Sequence, residues 1–165
     1  MNDSAISAAS GIAAQPKGIV PTKGRSSAAE FGDPRAGTSY ALCLYDRSGP
    51  GGTPALKMST IAPPGRSCRT RPCWKARTSH ATTVGYAFAD ASRAIRGMNK
   101  ITLQAGIAGR ASITVKAGGS ALDTPAPPFT GTVTVQLRSS DGLCWEADYG
   151  SPTVNQPGLF RASGD

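Results

Sequence analysis

Residues 62–83 carry Arg66, Arg69, Arg71, Lys75 and Arg77 without one acid, and Trp74 sits among them. Between positions 47 and 89 there are seven basic residues and no acidic one. Guanidinium forks match the paired oxygens of phosphate or carboxylate, and an indole face stacks on a base or a sugar ring. Arg66, Arg69, Arg71, Trp74, Lys75 and Arg77 are therefore the candidate polyanion-binding residues. The bland alternative is a solvated loop whose Trp74 packs onto the fold and whose arginines pair with nothing. No recognised nucleic-acid motif accompanies the cluster, so acidic glycans or cell-envelope polymers are the expected partners.

The cysteines come next. Cys43, Cys68, Cys73 and Cys144 are an even number in a short chain, and four cysteines allow three pairings. A zinc site would want C-x2-4-C pairs, often with histidine. Cys68 and Cys73 fit that spacing, but Cys43 and Cys144 stand alone and His80 is the only histidine. Disulfides are the better fit, and they imply an oxidising compartment.

Catalytic constellations are thin. A Ser-His-Asp triad would have to use His80, and no G-x-S-x-G elbow is present. Glu146 and Asp148 lie two apart on one strand, hence on one face. A glycosidase needs two carboxyls facing each other across a cleft, and no aromatic-lined cleft is legible beside this pair. Asp46, Asp141 and Asp148 lack the dense spacing of a calcium loop. Phosphate-loop and dinucleotide fingerprints are absent, and GIAG at 106–109 is a hairpin turn. No catalytic residue, metal or cofactor is expected.

These residues need a scaffold, and the composition indicates which. The chain has 165 residues, one domain's worth, with 39% hydrophobic and 6% aromatic residues. Gly (20) and Pro (13) make up one residue in five, too turn-rich for a helical bundle or coiled coil. No run approaches the ~18 apolar residues that a spanning helix needs. The net charge of +8 favours polyanionic partners.

Alternation marks the strands. Residues 39–46 (SYALCLYD) and 54–61 (PALKMSTI) flank a Gly-Pro loop, and 100–105 (KITLQA) and 111–117 (ASITVKA) flank GIAGR. Residues 132–138 (TVTVQLR) and 143–149 (LCWEADY) flank SSDG, where Gly142 accepts the positive φ of a tight turn. Residues 84–90 form a further short strand, and the tail after Gly150 is loose, with Leu159 and Phe160 tucked back. The fold class is all-β, an antiparallel β-sandwich or open barrel built from hairpins. Its expected core is Leu42, Leu44, Leu56, Ile101, Leu103, Ile113, Val115, Val133, Val135, Leu137 and Trp145. Residues 1–38 are expected to be a linker or disordered arm, with 39–165 forming the domain; Ile19, Val20 and Phe31 supply one strand that clips on.

Strand parity suggests the pairing of the cysteines. With Leu42 and Leu44 inward, Cys43 faces outward; with Val133, Val135 and Trp145 inward, so does Cys144. Neighbouring strands would then join Cys43 to Cys144, and Cys68 to Cys73 would close a small basic loop. The first 18 residues lack the basic and apolar regions of a secretory signal. The expectation is the tail of a longer exported protein, extracellular or at the cell surface.

Several stretches carry a resemblance through their order and spacing. They are GDPRAGTSYALCLYD (32–46), GTPALKM (52–58), PPGRSCRTRPCWKA (63–76), GYAFAD (85–90), KITLQAGIAGRASITVKAGG (100–119), TVTVQLRSSDGLCWEADY (132–149) and FRASG (160–164). Across 32–164 the chain resembles a repeated β-rich domain of uncharacterised exported proteins from myxobacteria-like and other environmental bacteria. The resemblance implies an extracellular accessory module, at the C-terminal end of larger proteins or in tandem, with no catalytic residues to carry over. It also supports a disulfide for Cys43 and Cys144. The expected function is a non-catalytic structural or ligand-binding appendage. The alternatives are a carbohydrate-binding module using Trp74, Tyr86 or Trp145, and a hydrolase built on His80 or the Glu146/Asp148 pair.

Overall fold

The computed structural model describes residues 6–8, 13–15, 25–108, 110–123 and 125–162. Fourteen strands are formed among them: β1 (Ile6–Ala8), β2 (Ala13–Gln15), β3 (Tyr40–Asp46), β4 (Ala55–Ala62), β5 (Ser67–Cys68), β6 (Arg71–Pro72), β7 (Trp74–Ser79), β8 (Thr82–Ala89), β9 (Met98–Gln104), β10 (Ser112–Ala117), β11 (Val133–Ser139), β12 (Cys144–Tyr149), β13 (Pro152–Gln156) and β14 (Leu159–Ala162). No α-helix occurs among the described residues, and hence none long and apolar enough to cross a membrane.

Two antiparallel five-stranded sheets carry the structure. Sheet A has the order β1-β10-β9-β8-β7 and sheet B the order β2-β12-β11-β3-β4. Their inner faces share one core: Trp74 of sheet A lies between Phe88 of its own sheet and Tyr40 of sheet B, 5.2 Å and 5.4 Å away between ring centroids. Each large apolar side chain buried this way contributes about 1.5–3 kcal/mol. The fold is all-β, as expected, and it is not a closed barrel.

The three expected hairpins form as β3–β4, β9–β10 and β11–β12. Gly142 takes φ +90° at the third residue of the β11–β12 loop, where any Cβ would be strained. The expected core is buried except for Leu56, which is 55% exposed. A bulge between Leu44 and Tyr45 pairs Leu44 with Met58 but Tyr45 with Leu56, leaving Lys57 as the extra residue. One inserted residue reverses the alternation, so Met58 turns inward in place of Leu56.

The region expected to be an arm joins the fold in three described places: β1 pairs with β10, β2 pairs with β12, and the chain from Arg25 onward packs on the core. Phe31 is fully buried 5.5 Å from the Trp145 ring, Trp145 Nε1 donates to Ser26 Oγ, and the Tyr40 hydroxyl donates to the Phe31 carbonyl. Gly32, at φ +61°, is required here, because a Cβ would lie 2.3 Å from both Asp141 Oδ2 and Thr38 Oγ1. The described residues just before position 39 thus pack on the core. Phe31 belongs to a short 3-10 turn (Ala29–Phe31) rather than a strand; Ile19 and Val20 lie outside the described residues. The tail is also ordered as the β13–β14 hairpin, with Phe160 packed 5.2 Å from Phe129.

Candidate functional site

The basic segment folds as a small hairpin and the strand that follows it. Ser67 and Cys68 pair with Pro72 and Arg71, and the disulfide between Cys68 and Cys73 closes the unit with its Cα atoms 5.0 Å apart. The turn is Arg69-Thr70, and Arg69 holds φ +60°, a conformation that costs a non-glycine residue energy. At the base of the hairpin the Cys73 amide donates to the Arg66 carbonyl at 2.8 Å, and Gly65 N donates to the Pro34 carbonyl at 2.9 Å. Arg66, Arg69 and Arg71 are all exposed. None has an ion-pair or side-chain hydrogen-bond partner among the described residues.

Trp74 departs from the expected ligand-stacking role. It is 2% exposed, it packs between Tyr40 and Phe88, and its Nε1 donates to the Pro63 carbonyl at 2.9 Å. The indole anchors the hairpin's root in the core. Lys75 and Arg77 then alternate with inward-facing Trp74 and Ala76, so they project from the outer face of sheet A. The six candidate residues thus occupy three places: the hairpin, the core and a sheet face.

The pairing of Cys43 with Cys144 is not formed; both are free thiols, Cys43 buried and Cys144 half-buried. Both sit on the outer face of sheet B, as parity required, but β11 runs between β3 and β12. Cys43 lies opposite Gln136 and Cys144 opposite Arg138. Two strand spacings are about 9–10 Å, well beyond the ~7 Å Cα separation a disulfide tolerates. Burial, with the Glu146 carboxylate nearby, pushes the Cys144 thiol above its ordinary pKa.

The other constellations disperse. His80 occupies the β7–β8 turn at φ +47° and is exposed. Glu146 Oε2 accepts from Gln136 Nε2 at 2.6 Å, and Asp148 Oδ1 accepts from the Thr134 hydroxyl at 2.6 Å. Both carboxylates lie on the outer face of sheet B, whereas His80 is in sheet A's hairpin turn. Trp74, Tyr86 and Trp145, the residues of the carbohydrate-platform alternative, are all buried. Among the described residues no group of three or more His, Cys, Asp and Glu side chains is placed to hold a metal.

Two buried carboxylates organise loops. Asp46 accepts from the amide and hydroxyl of Ser48 at 3.0 and 2.6 Å and from the Thr130 amide at 3.1 Å. Burial raises its pKa, but these hydrogen bonds and Lys57 outweigh it and hold the carboxyl below the usual range. Asp90 behaves alike: burial opposes ionisation, and the Ser92 hydroxyl with the Ser92, Ile95 and Ala94 amides overcomes it. Neither faces the basic hairpin's ligand-accessible side chains in any hydrogen bond.

No protein-family model, curated protein or solved structure matches the chain.

Proposed function

We propose that the chain is a non-catalytic, extracellular or cell-surface module of a longer exported protein, and that it binds acidic polymers through the disulfide-closed hairpin. Arg66, Arg69 and Arg71 carry the contact. The observation behind this reading is three unpaired guanidinium groups on a nine-residue segment clamped at Cys68–Cys73 and rooted by Trp74. A clamp of this kind lowers the entropy lost when a ligand is gripped, and guanidinium forks suit carboxylate and sulfate oxygens. Acidic glycans and cell-envelope polymers supply both. The sequence resemblance to a repeated domain of exported proteins agrees with a module of this kind.

The test is retention of the intact chain on immobilised heparin. R66A/R69A/R71A elutes at markedly lower salt, and the reduced protein falls between it and the oxidised one. Unchanged retention of the triple variant overturns the reading.

A further inference from the structure

Strands β7, β8, β9 and β10 lie side by side in sheet A, with alternate residues directed away from the core. Their registers align the outward residues in rows. One row is Lys75, Ala87, Thr102 and Thr114; the next is Arg77, Gly85, Gln104 and Ser112; the third is Ala89, Lys100 and Lys116. All four cations are exposed, and these four strands contain no acidic residue. The centre is low and flat, since Gly85, Ala87 and Ala89 raise nothing above the sheet. The hydroxyls of Thr102, Ser112 and Thr114 have no hydrogen-bond partner among the described residues.

Lys100 and Lys116 stand directly opposite each other. Like charges in that position destabilise a strand pair, and neither has an ion-pair partner among the described residues. The arrangement opposes folding, so its use lies elsewhere. The arginine hairpin joins the sheet at this end: Ala89, in the row of the two lysines, donates its amide to the Cys73 carbonyl at 2.9 Å.

We infer that the outer face of sheet A is a docking surface for an extended acidic polysaccharide. Its anionic groups pair with Lys75, Arg77, Lys100 and Lys116, and its hydroxyls meet Thr102, Ser112 and Thr114. The ligand class rests on the reading proposed for the hairpin; the surface is additional to it. The cations lie on β7, β9 and β10, across a four-strand width of about 14 Å, which a polymer spans and a single small anion does not. Trp74, Tyr86 and Phe88 all point into the core. The face therefore has no aromatic ring on which nucleic-acid bases would stack, while its hydroxyl-bearing centre suits the sugar units between anions.

The experiment measures salt elution of the intact chain from heparin and from polygalacturonate, with duplex DNA as a third matrix. K100Q/K116Q elutes from the polysaccharides at lower salt, with a salt-dependence slope shallower by about one per charge removed. Its Tm rises by about 1–3 °C as the repulsion is lifted, so weaker binding is not misfolding. T114E, which removes no cation, also loses retention. Heparin against polygalacturonate distinguishes sulfate from carboxylate as the anion. If both face variants are retained as the unmodified chain is while R66A/R69A/R71A is not, the face is overturned and the hairpin stands. If none of the three changes retention, both fail. Retention on duplex DNA to equal or higher salt overturns the polysaccharide assignment.

Discussion

The outer faces of the two sheets are built alike and finished oppositely. On sheet B two polar pairs bridge neighbouring strands in direct register, Gln136 with Glu146 and Thr134 with Asp148. Cys43, although outward, is only 7% exposed. On sheet A the corresponding positions hold four unpaired cations, and two of them repel each other across the ladder. A face whose polar groups pair internally contributes to strand cohesion. A face that leaves donors and charges unpaired gives up that cohesion. The strands of sheet B hold both signs of charge, whereas β7–β10 hold one.

The largest test of this contrast concerns the flatness of sheet A. A Cβ at Gly85 would lie 1.9 Å from the Leu103 carbonyl oxygen, which is backbone and cannot rotate aside. Gly85→Ala is expected to cost roughly 3 kcal/mol or more, read as a lower urea midpoint. An unaltered midpoint would show that the β8–β9 approach is not as close as described.

Acid is expected to act next, at the loops that end β3 of sheet B and β8 of sheet A. Asp46 and Asp90 have folded-state pKa values below those of the unfolded chain. Their contribution is complete above the unfolded carboxyl pKa of about 4 and is lost as pH falls through the lowered folded values. Melting temperature should hold near pH 5 and fall toward pH 2. Asp46→Ala should cost about 2–3 kcal/mol at neutral pH, because the Ser48 and Thr130 amides lose their acceptor. A flat Tm across that range would refute the account of these loops.

The smallest effect is the sharpest, because it predicts opposite signs on the two faces. Gln136→Ala should lower stability by about 0.5–1 kcal/mol through loss of the bond to Glu146. Lys116→Gln should raise it by a few tenths of a kcal/mol. Equal signs in thermal melts would erase the distinction between the faces.

Much of the scaffold was visible in advance, for a local reason. The hairpins β3–β4, β9–β10 and β11–β12 announce themselves through alternation and glycine-bearing turns. The β7–β8 hairpin does not. Its turn is His80-Ala81, with φ +47° and +65°, where Asn-Gly is the usual signal. Its first strand carries cations outward and Trp74 and Ala76 inward, a weak apolar period. Of the site, the arginines of the hairpin and the Cys68–Cys73 link were legible. Lys100 and Lys116 were legible only as polar residues of one hairpin, because nothing local joins that hairpin to β7.

The residues in order establish the two-residue period of the strands, the short C-x4-C loop, and the basic balance of the middle segment, all of which depend on near neighbours. Folding in three dimensions settled the rest: β11 separates Cys43 from Cys144, Trp74 goes inside, a bulge expels Leu56, and four distant cations meet on one plane. The physical reason is that alternation specifies which way a side chain points but not which strand lies beside it. Strand order comes from long-range pairing and the closure of a shared core, and those are properties of the whole chain.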